Sequence, residues 1–198
     1  MPAGVRAELI NGVVNMPSPV GLEHARAMVP VLVWLSYYQE HTPGVDVLDN
    51  ASTILDVKGE PQPDAQLRIL PECGGQTQSD RRFVRGVPEL IVEVSQATRY
   101  TDLGPKFDEY ERAGVLEYIV RAFEPDELLW FVLRDGKLVE LPADSDGLYR
   151  SGVFPGLWLD PQAMIAGNTR RLREVLASGL ATDEHTSFVA RLEATRAG

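Results

Sequence analysis

PELIVEVS, from Pro88 to Ser95, is the stretch that decides the fold. Leu90, Ile91, Val92 and Val94 make a β-branched-rich apolar run, too short for a helix and bounded by proline and polar residues, so it reads as a buried central strand. Glu93 interrupts it. A carboxylate there is costly unless it is paired, hydrogen-bonded or bound to a cation. Upstream, QPDA (Gln62–Ala65) opens a second strand-like segment that runs to Leu70, and Pro63 is tolerable at a strand's start. Asp64 and Glu93 on neighbouring strands make an oxygen-rich site suited to a hard divalent cation such as Mg²⁺. The plainer alternative is that Asp64 ends a turn and Glu93 pairs with an arginine.

Downstream runs TDLGPKFDEYERAGVLEYIV, Thr101 to Val120. Thr101 or Asp102 is placed to cap a helix, Pro105 suits its first turn and Gly114 its end. Leu103, Phe107 and Tyr110 share one apolar face. Lys106 lies about 60° from Leu103 at ~100° per residue, on the edge of that stripe, where its ammonium can reach past the core margin. Read alone, it equally suits a surface pair with Asp102 at i, i+4, worth a few tenths of a kcal/mol.

Several segments recur in one order: Glu8-Leu9-Ile10-Asn11-Gly12, a helix with His24 early in it, Gln62-Pro63-Asp64, a strand ending Val92-Glu93-Val94, and D-L-G-x-K-x-x-x-Y-x-x-A-G-V-x-E-Y from Asp102 to Tyr118. Together they resemble a large bacterial family of restriction-endonuclease-like proteins within the PD-(D/E)XK nuclease superfamily, over about residues 5 to 160. The resemblance implies an α/β (α+β) fold: a mixed central sheet flanked by helices. Mg²⁺ or Mn²⁺ would be held at the sheet's open end by Asp64, Glu93 and the carbonyl of Val94. It further implies a metal-dependent endonuclease that hydrolyses DNA phosphodiester bonds, with Asp64, Glu93 and Lys106 catalytic. The superfamily pattern puts a lysine two residues after the acid, and here that residue is Ser95; Lys106, from the following helix, is the implied substitute. Glu8 is then an acid facing the site, and His24 approaches the metal or the phosphate. As bare features, Glu8 reads as an exposed strand end and His24 as a polar cap or core partner. The alternative function is a nuclease-fold domain without activity, serving as a dimeric binding or interaction module.

The chain has 198 residues, 44% of them hydrophobic, enough to bury a proper core. Residues 1–160 form the expected nuclease-like domain and 161–198 a C-terminal helical extension. No apolar run approaches the ~20 residues of a membrane span and no signal-like start is present, so a cytoplasmic protein is expected. Cys73 is the only cysteine, which excludes an intramolecular disulfide and a multi-thiolate zinc site. A formal charge of −10 counts against a generic nucleic-acid binder. A bound cation and a local basic patch, for which Arg81, Arg82, Arg85 and Arg99 are the candidates, can reverse the field locally.

Asn11-Gly12 between short apolar runs predicts a tight hairpin. A helix is predicted within 18–43, kinked at Pro30 unless it begins there, and a strand within 44–57. Residues 71–87 read as a long polar connection. Leu116–Ala122 predicts a strand, and Leu128–Leu133 with Lys137–Leu141 a hairpin around Arg134-Asp135-Gly136. Leu148–Leu159 is expected to close the sheet region, with Phe154 packing an edge. Met164–Gly179 and His185–Ala197 carry helical apolar stripes that pack on the core or on a second subunit; a homodimer suits paired cuts on antiparallel strands.

Overall fold

The computed structural model describes residues 7–16, 19–80, 82–96 and 98–198. Asn11 and Gly12 both take positive φ, 50° and 79°, as a type I′ turn demands. They join β1 (Glu8–Ile10) to β2 (Val13–Asn15). Helix α1 (Leu22–His41) begins well before Pro30 and runs through it, so the Arg26 carbonyl lacks a helical donor at that turn. Next come β3 (Val45–Asp49), the two-residue β4 (Thr53–Ile54) and β5 (Ala65–Ile69).

The stretch 71–87 is not a bare connection. It holds a 3-10 turn at Pro71–Cys73, then β6 (Gln78–Ser79) and β7 (Val84–Arg85), which join β4 in a small sheet ordered β4-β7-β6. The carboxylate of Glu89 fastens this segment, accepting from Ile69 N at 2.9 Å and Gln76 N at 3.2 Å. Cys73 is buried and is therefore a core thiol, not the loop thiol its Gly-rich surroundings suggest.

PELIVEVS forms β8 (Leu90–Ser95), buried along its whole length. The helix expected after it is two helices, α2 (Arg99–Asp102) and α3 (Pro105–Ala113). Gly104, at φ −129° and ψ −105°, makes the break; a Cβ there would lie 2.5 Å from the Tyr100 carbonyl oxygen. Pro105 reinforces the break, because it disfavours helical backbone in the residue before it. Gly104, not Thr101 or Asp102, therefore holds the cap position of α3.

The chain returns as β9 (Glu117–Phe123), β10 (Asp126–Arg134) and β11 (Lys137–Glu140). Asp135 and Gly136 make the last turn at positive φ. The main sheet is ordered β11-β10-β9-β8-β5-β3. Only β8 and β9 are parallel within it, and α2 and α3 make the crossover between them.

Register places the acids. β5 and β8 run antiparallel with Ala65 opposite Val92 and Gln66 opposite Ile91; one further step sets Asp64 across from Glu93. Directly opposed residues share a face, and this is the face covered by α3. Ile91 packs there with Tyr110, Tyr118 and Val120. Leu90, Val92 and Val94 point the other way, into a larger core with Trp34 and Leu35 of α1.

That larger core also takes in the C-terminal segment. β12 (Tyr149–Arg150) and β13 (Trp158–Leu159) form their own two-stranded sheet instead of extending the main one. Phe154 between them is fully buried, edge-on to Tyr38 and Phe188. Three helices follow: α4 (Pro161–Ile165), α5 (Thr169–Leu180) and α6 (Asp183–Ala197). Leu172, Leu176, Phe188 and Leu192 join the same core as Trp34. At ~1.5–3 kcal/mol per fully buried side chain, these contacts bind 161–198 firmly to the sheet. No described helix is long and apolar enough to cross a membrane.

Candidate active site

The end of β8, the start of β5, the N-terminal half of α1 and the hairpin β1–β2 surround a cavity of about 320 Å³. Glu8, His24, Asp64, Glu93, Val94, Asp102 and Lys106 all line it. The structure thus brings together every acid, the histidine and the lysine singled out in the sequence.

Glu93, 3% exposed, lies at the floor. Its Oε1 accepts from Lys106 Nζ at 2.9 Å and from Tyr110 Oη at 2.8 Å. Lys106 and Tyr110 stand four residues apart on α3, one turn above the other. Both donors fall on one oxygen, so among the described residues Oε2 receives none. Lys106 is also buried, 6% exposed, and its ammonium lies 3.1 Å from Glu8 Oε1 and 4.0 Å from Asp102 Oδ1. The i, i+4 pairing with Asp102 exists, but as one side of an enclosed cluster and not on the surface.

Glu8 is no exposed strand end. Its Oε1 accepts from Gln62 N at 2.7 Å, and the hairpin that carries it is tied down on two sides. Leu9 and Glu60 exchange backbone hydrogen bonds of 3.1 and 2.8 Å, and Asn11 Nδ2 donates to the Pro105 carbonyl at 2.7 Å. Asp64 Oδ2 accepts from Val94 N at 2.7 Å. His24 reaches over from α1, with Nε2 3.4 Å from Asp64 Oδ1 and Nδ1 3.0 Å from the Val94 carbonyl.

Electrostatics follow from this crowding. Burial pushes the Glu93 carboxyl well above its usual range; Lys106 opposes the shift, while Asp64, Asp102 and Glu8 add to it. Asp102 is raised for the same first reason, with Lys106 and the Thr98 hydroxyl holding it back. Burial disfavours the Lys106 ammonium, but Glu93, Glu8 and Asp102 outweigh it and lift its pKa above the ordinary lysine value. These three carboxylates thus favour the charged form of Lys106. The His24 pKa is raised chiefly by its hydrogen bond to Asp64, against the effect of burial.

Ser95 follows Glu93 by two residues on the same face. It is buried, with its hydroxyl 3.5 Å from Thr98 Oγ1. The ammonium that meets Glu93 comes instead from α3. Tyr110 and Asp102 went unrecognised in the sequence, where Tyr110 counted as apolar stripe and Asp102 as a cap. Lysine and tyrosine at i, i+4 was the available signal.

The three described arginines of the candidate patch stand apart from the cavity. Arg85 pairs with Asp80 at 3.3 Å and Arg99 with Glu127 at 2.5 Å. Arg82 is exposed, with its guanidinium 5.7 Å from the Phe83 ring centre, and Arg81 lies outside the described residues. None of Arg82, Arg85 and Arg99 lines the cavity. Among the described residues, no three His, Cys, Asp or Glu side chains form a ready cation cage.

A mixed sheet flanked by helices, with opposed acids at the end of two adjacent strands and an amine beside them, defines the restriction-endonuclease-like class. The chain belongs to the Uma2 family, described as "Putative restriction endonuclease", which matches residues 1–162. Among solved structures it is similar in fold to "a putative nuclease belonging to DUF820" from Anabaena variabilis. That likeness has a TM-score of 0.55 at 11% identity and covers 86% of this chain and 90% of that one. No curated protein matches the sequence.

Proposed function

We propose that the chain is a metal-dependent endonuclease that hydrolyses phosphodiester bonds, with DNA as its substrate. The observation that carries this reading is the Lys106 ammonium held against Glu93, on the strand beside Asp64, at the floor of one cavity. Four carboxylates line that cavity against one ammonium and one imidazole. This surplus of hard oxygen donors, which adds to the upward push that burial gives the Glu93 and Asp102 carboxyls, fits a divalent cation such as Mg²⁺ or Mn²⁺.

Asp64 and Glu93 would hold it together with the Val94 carbonyl, and its chemistry there would be charge neutralisation on the scissile phosphate and acidification of a water. Lys106 sets a permanent positive charge where charge develops on the phosphate. Tyr110 and Lys106 together fix the Glu93 carboxylate, so its orientation requires no reorganisation on binding. His24 holds Asp64 from the opposite side of the sheet. Glu8 shares the ammonium with Glu93 and so keeps Lys106 in place.

The test uses supercoiled plasmid and single-stranded DNA with Mg²⁺, Mn²⁺ or chelator. Parent protein is compared with Asp64→Asn, Glu93→Gln and Lys106→Met, purified identically to control for contaminating nuclease. Cleavage should need the metal, vanish in the two acid variants and fall at least 100-fold in Lys106→Met. Absence of cleavage in every lane with folded protein would instead favour the inactive interaction module. Activity surviving in Glu93→Gln would rule out the site.

A further inference from the structure

We infer that the cavity admits an unpaired nucleotide, so that the substrate class is single-stranded or locally opened nucleic acid and not intact duplex; this rests on the nuclease reading. Depth is the first argument. Glu93, which would hold the cation, and Lys106, which must meet the scissile phosphate, are 3% and 6% exposed in a cavity of about 320 Å³. A rigid duplex cannot bring a base pair into a cavity of that volume. A strand released from its partner can bring in a single nucleotide, as in enzymes that extrude a nucleotide from the stack.

The walls give the second argument. Duplex binders hold phosphates on both strands with several lysines and arginines. Here Lys106 and His24 are the only basic side chains lining the cavity among the described residues. The rest of the lining instead presents amides, Asn15, Asn50, Gln62 and Gln96, beside apolar Met16 and Val20. Met16 and Val20 are 72% and 55% exposed. Amide side chains pair with base edges, and apolar or aromatic surface takes base faces. Tyr100 supplies an aromatic face nearby. It is 87% exposed on α2, next to Thr101 and Asp102, which line the cavity.

The experiment is fluorescence anisotropy with three labelled oligonucleotides of one sequence: single-stranded, fully paired, and paired around a central mismatch bubble. Ca²⁺ replaces Mg²⁺ to hold off cleavage, and the same three are then cut in Mg²⁺. Single strand and bubble should bind at least about tenfold more tightly than duplex. Tyr100→Ala should weaken single-strand binding at least about fivefold, the lower end of what losing one stacking partner costs. Tyr100→Phe should bind like the parent. Duplex bound and cut as well as single strand would keep the nuclease and overturn this inference, as would failure to bind any of the three. Selective single-strand binding without cleavage in Mg²⁺ would support the inference while removing the catalytic reading. If Met16→Asp dissociated a sedimenting dimer and left oligonucleotide affinity unchanged, the rim would be a contact between copies and the inference would fall.

Discussion

Lys106 carries obligations of folding and of chemistry at once. Its ammonium is the partner of Glu93 and Glu8, both buried, and removing it leaves buried carboxylates uncompensated. Breaking a buried pair from one side costs about 3–5 kcal/mol, whereas removing both charges is far milder. Lys106→Met should therefore lower urea-denaturation stability by about 3 kcal/mol, and Lys106→Met with Glu93→Gln should recover a large part of that. Equal stability of Lys106→Met and the parent would show that the cluster does not hold in solution. For the same reason, activity lost in a Lys106 variant needs its folded fraction measured beside it. The sequence betrayed Glu93 because a carboxylate in a run of valines and isoleucines is anomalous on its face. It concealed Tyr110, whose ring belongs to the apolar stripe of α3 while its hydroxyl alone serves the site. That division within one side chain leaves no trace in hydrophobic periodicity.

Among the elements, the loop between β12 and β13 is gathered in part around one buried carboxylate. Glu117, at the start of β9, accepts from Ser151 Oγ at 2.7 Å, Gly152 N at 2.9 Å and Val153 N at 3.2 Å. Burial lifts its pKa to about 7 despite these donors. A carboxyl raised on folding contributes stability that is fully present below its unfolded pKa, near 4.5, and lost as pH rises through about 7. Glu117→Gln keeps an acceptor for the backbone N–H groups and removes the titration. The parent should lose stability relative to this variant between pH 4.5 and 7, by a few kcal/mol at most; parallel melting curves across that range would refute the assignment.

Helix α5 yields a second test. Gly→Ala inside a helix ordinarily stabilises by roughly 0.5–1 kcal/mol. At Gly179 a Cβ would lie 2.3 Å from the Gly156 carbonyl oxygen and 2.9 Å from the Trp158 ring, so Gly179→Ala should destabilise instead, by about 1–3 kcal/mol. A raised Tm would show that α5 does not approach Gly156 this closely. Elements were legible where length or turn chemistry spoke: β8, both Asn-Gly and Asp-Gly hairpins, and the long helices. The two-residue strands β4, β6 and β7 were not, since two residues define no period. The split between α2 and α3 was written in Gly104-Pro105, but the capping signal at Thr101 and Asp102 masked it.

For the whole molecule, the assembly of Asp64, Glu93, Glu8 and His24 from four separate elements means that cation binding reports on the folded state alone. Mg²⁺ or Mn²⁺ should raise Tm, by an increment equivalent to about 2.7 kcal/mol at a hundred times Kd, and Asp64→Asn should remove the rise. An unchanged response in that variant would count against the proposed ligands. The pairing of Asp64 with Glu93 was guessed from two short segments, but their register, and hence their common face, comes only from long-range strand pairing that no local pattern encodes. The arginine-poor cavity has a consequence of another kind. Affinity for single strands falls with salt at a slope of about −0.7 per neutralised phosphate, and here one ammonium, that of Lys106, stands where several cations usually do. Raising ionic strength from 50 to 200 mM should then weaken binding only roughly threefold, against the 10³- to 10⁵-fold typical of proteins that make 6–10 phosphate contacts. The protein should pass through heparin at low salt, free of carried-over nucleic acid, and lose no more than about threefold of its cutting across that range of salt.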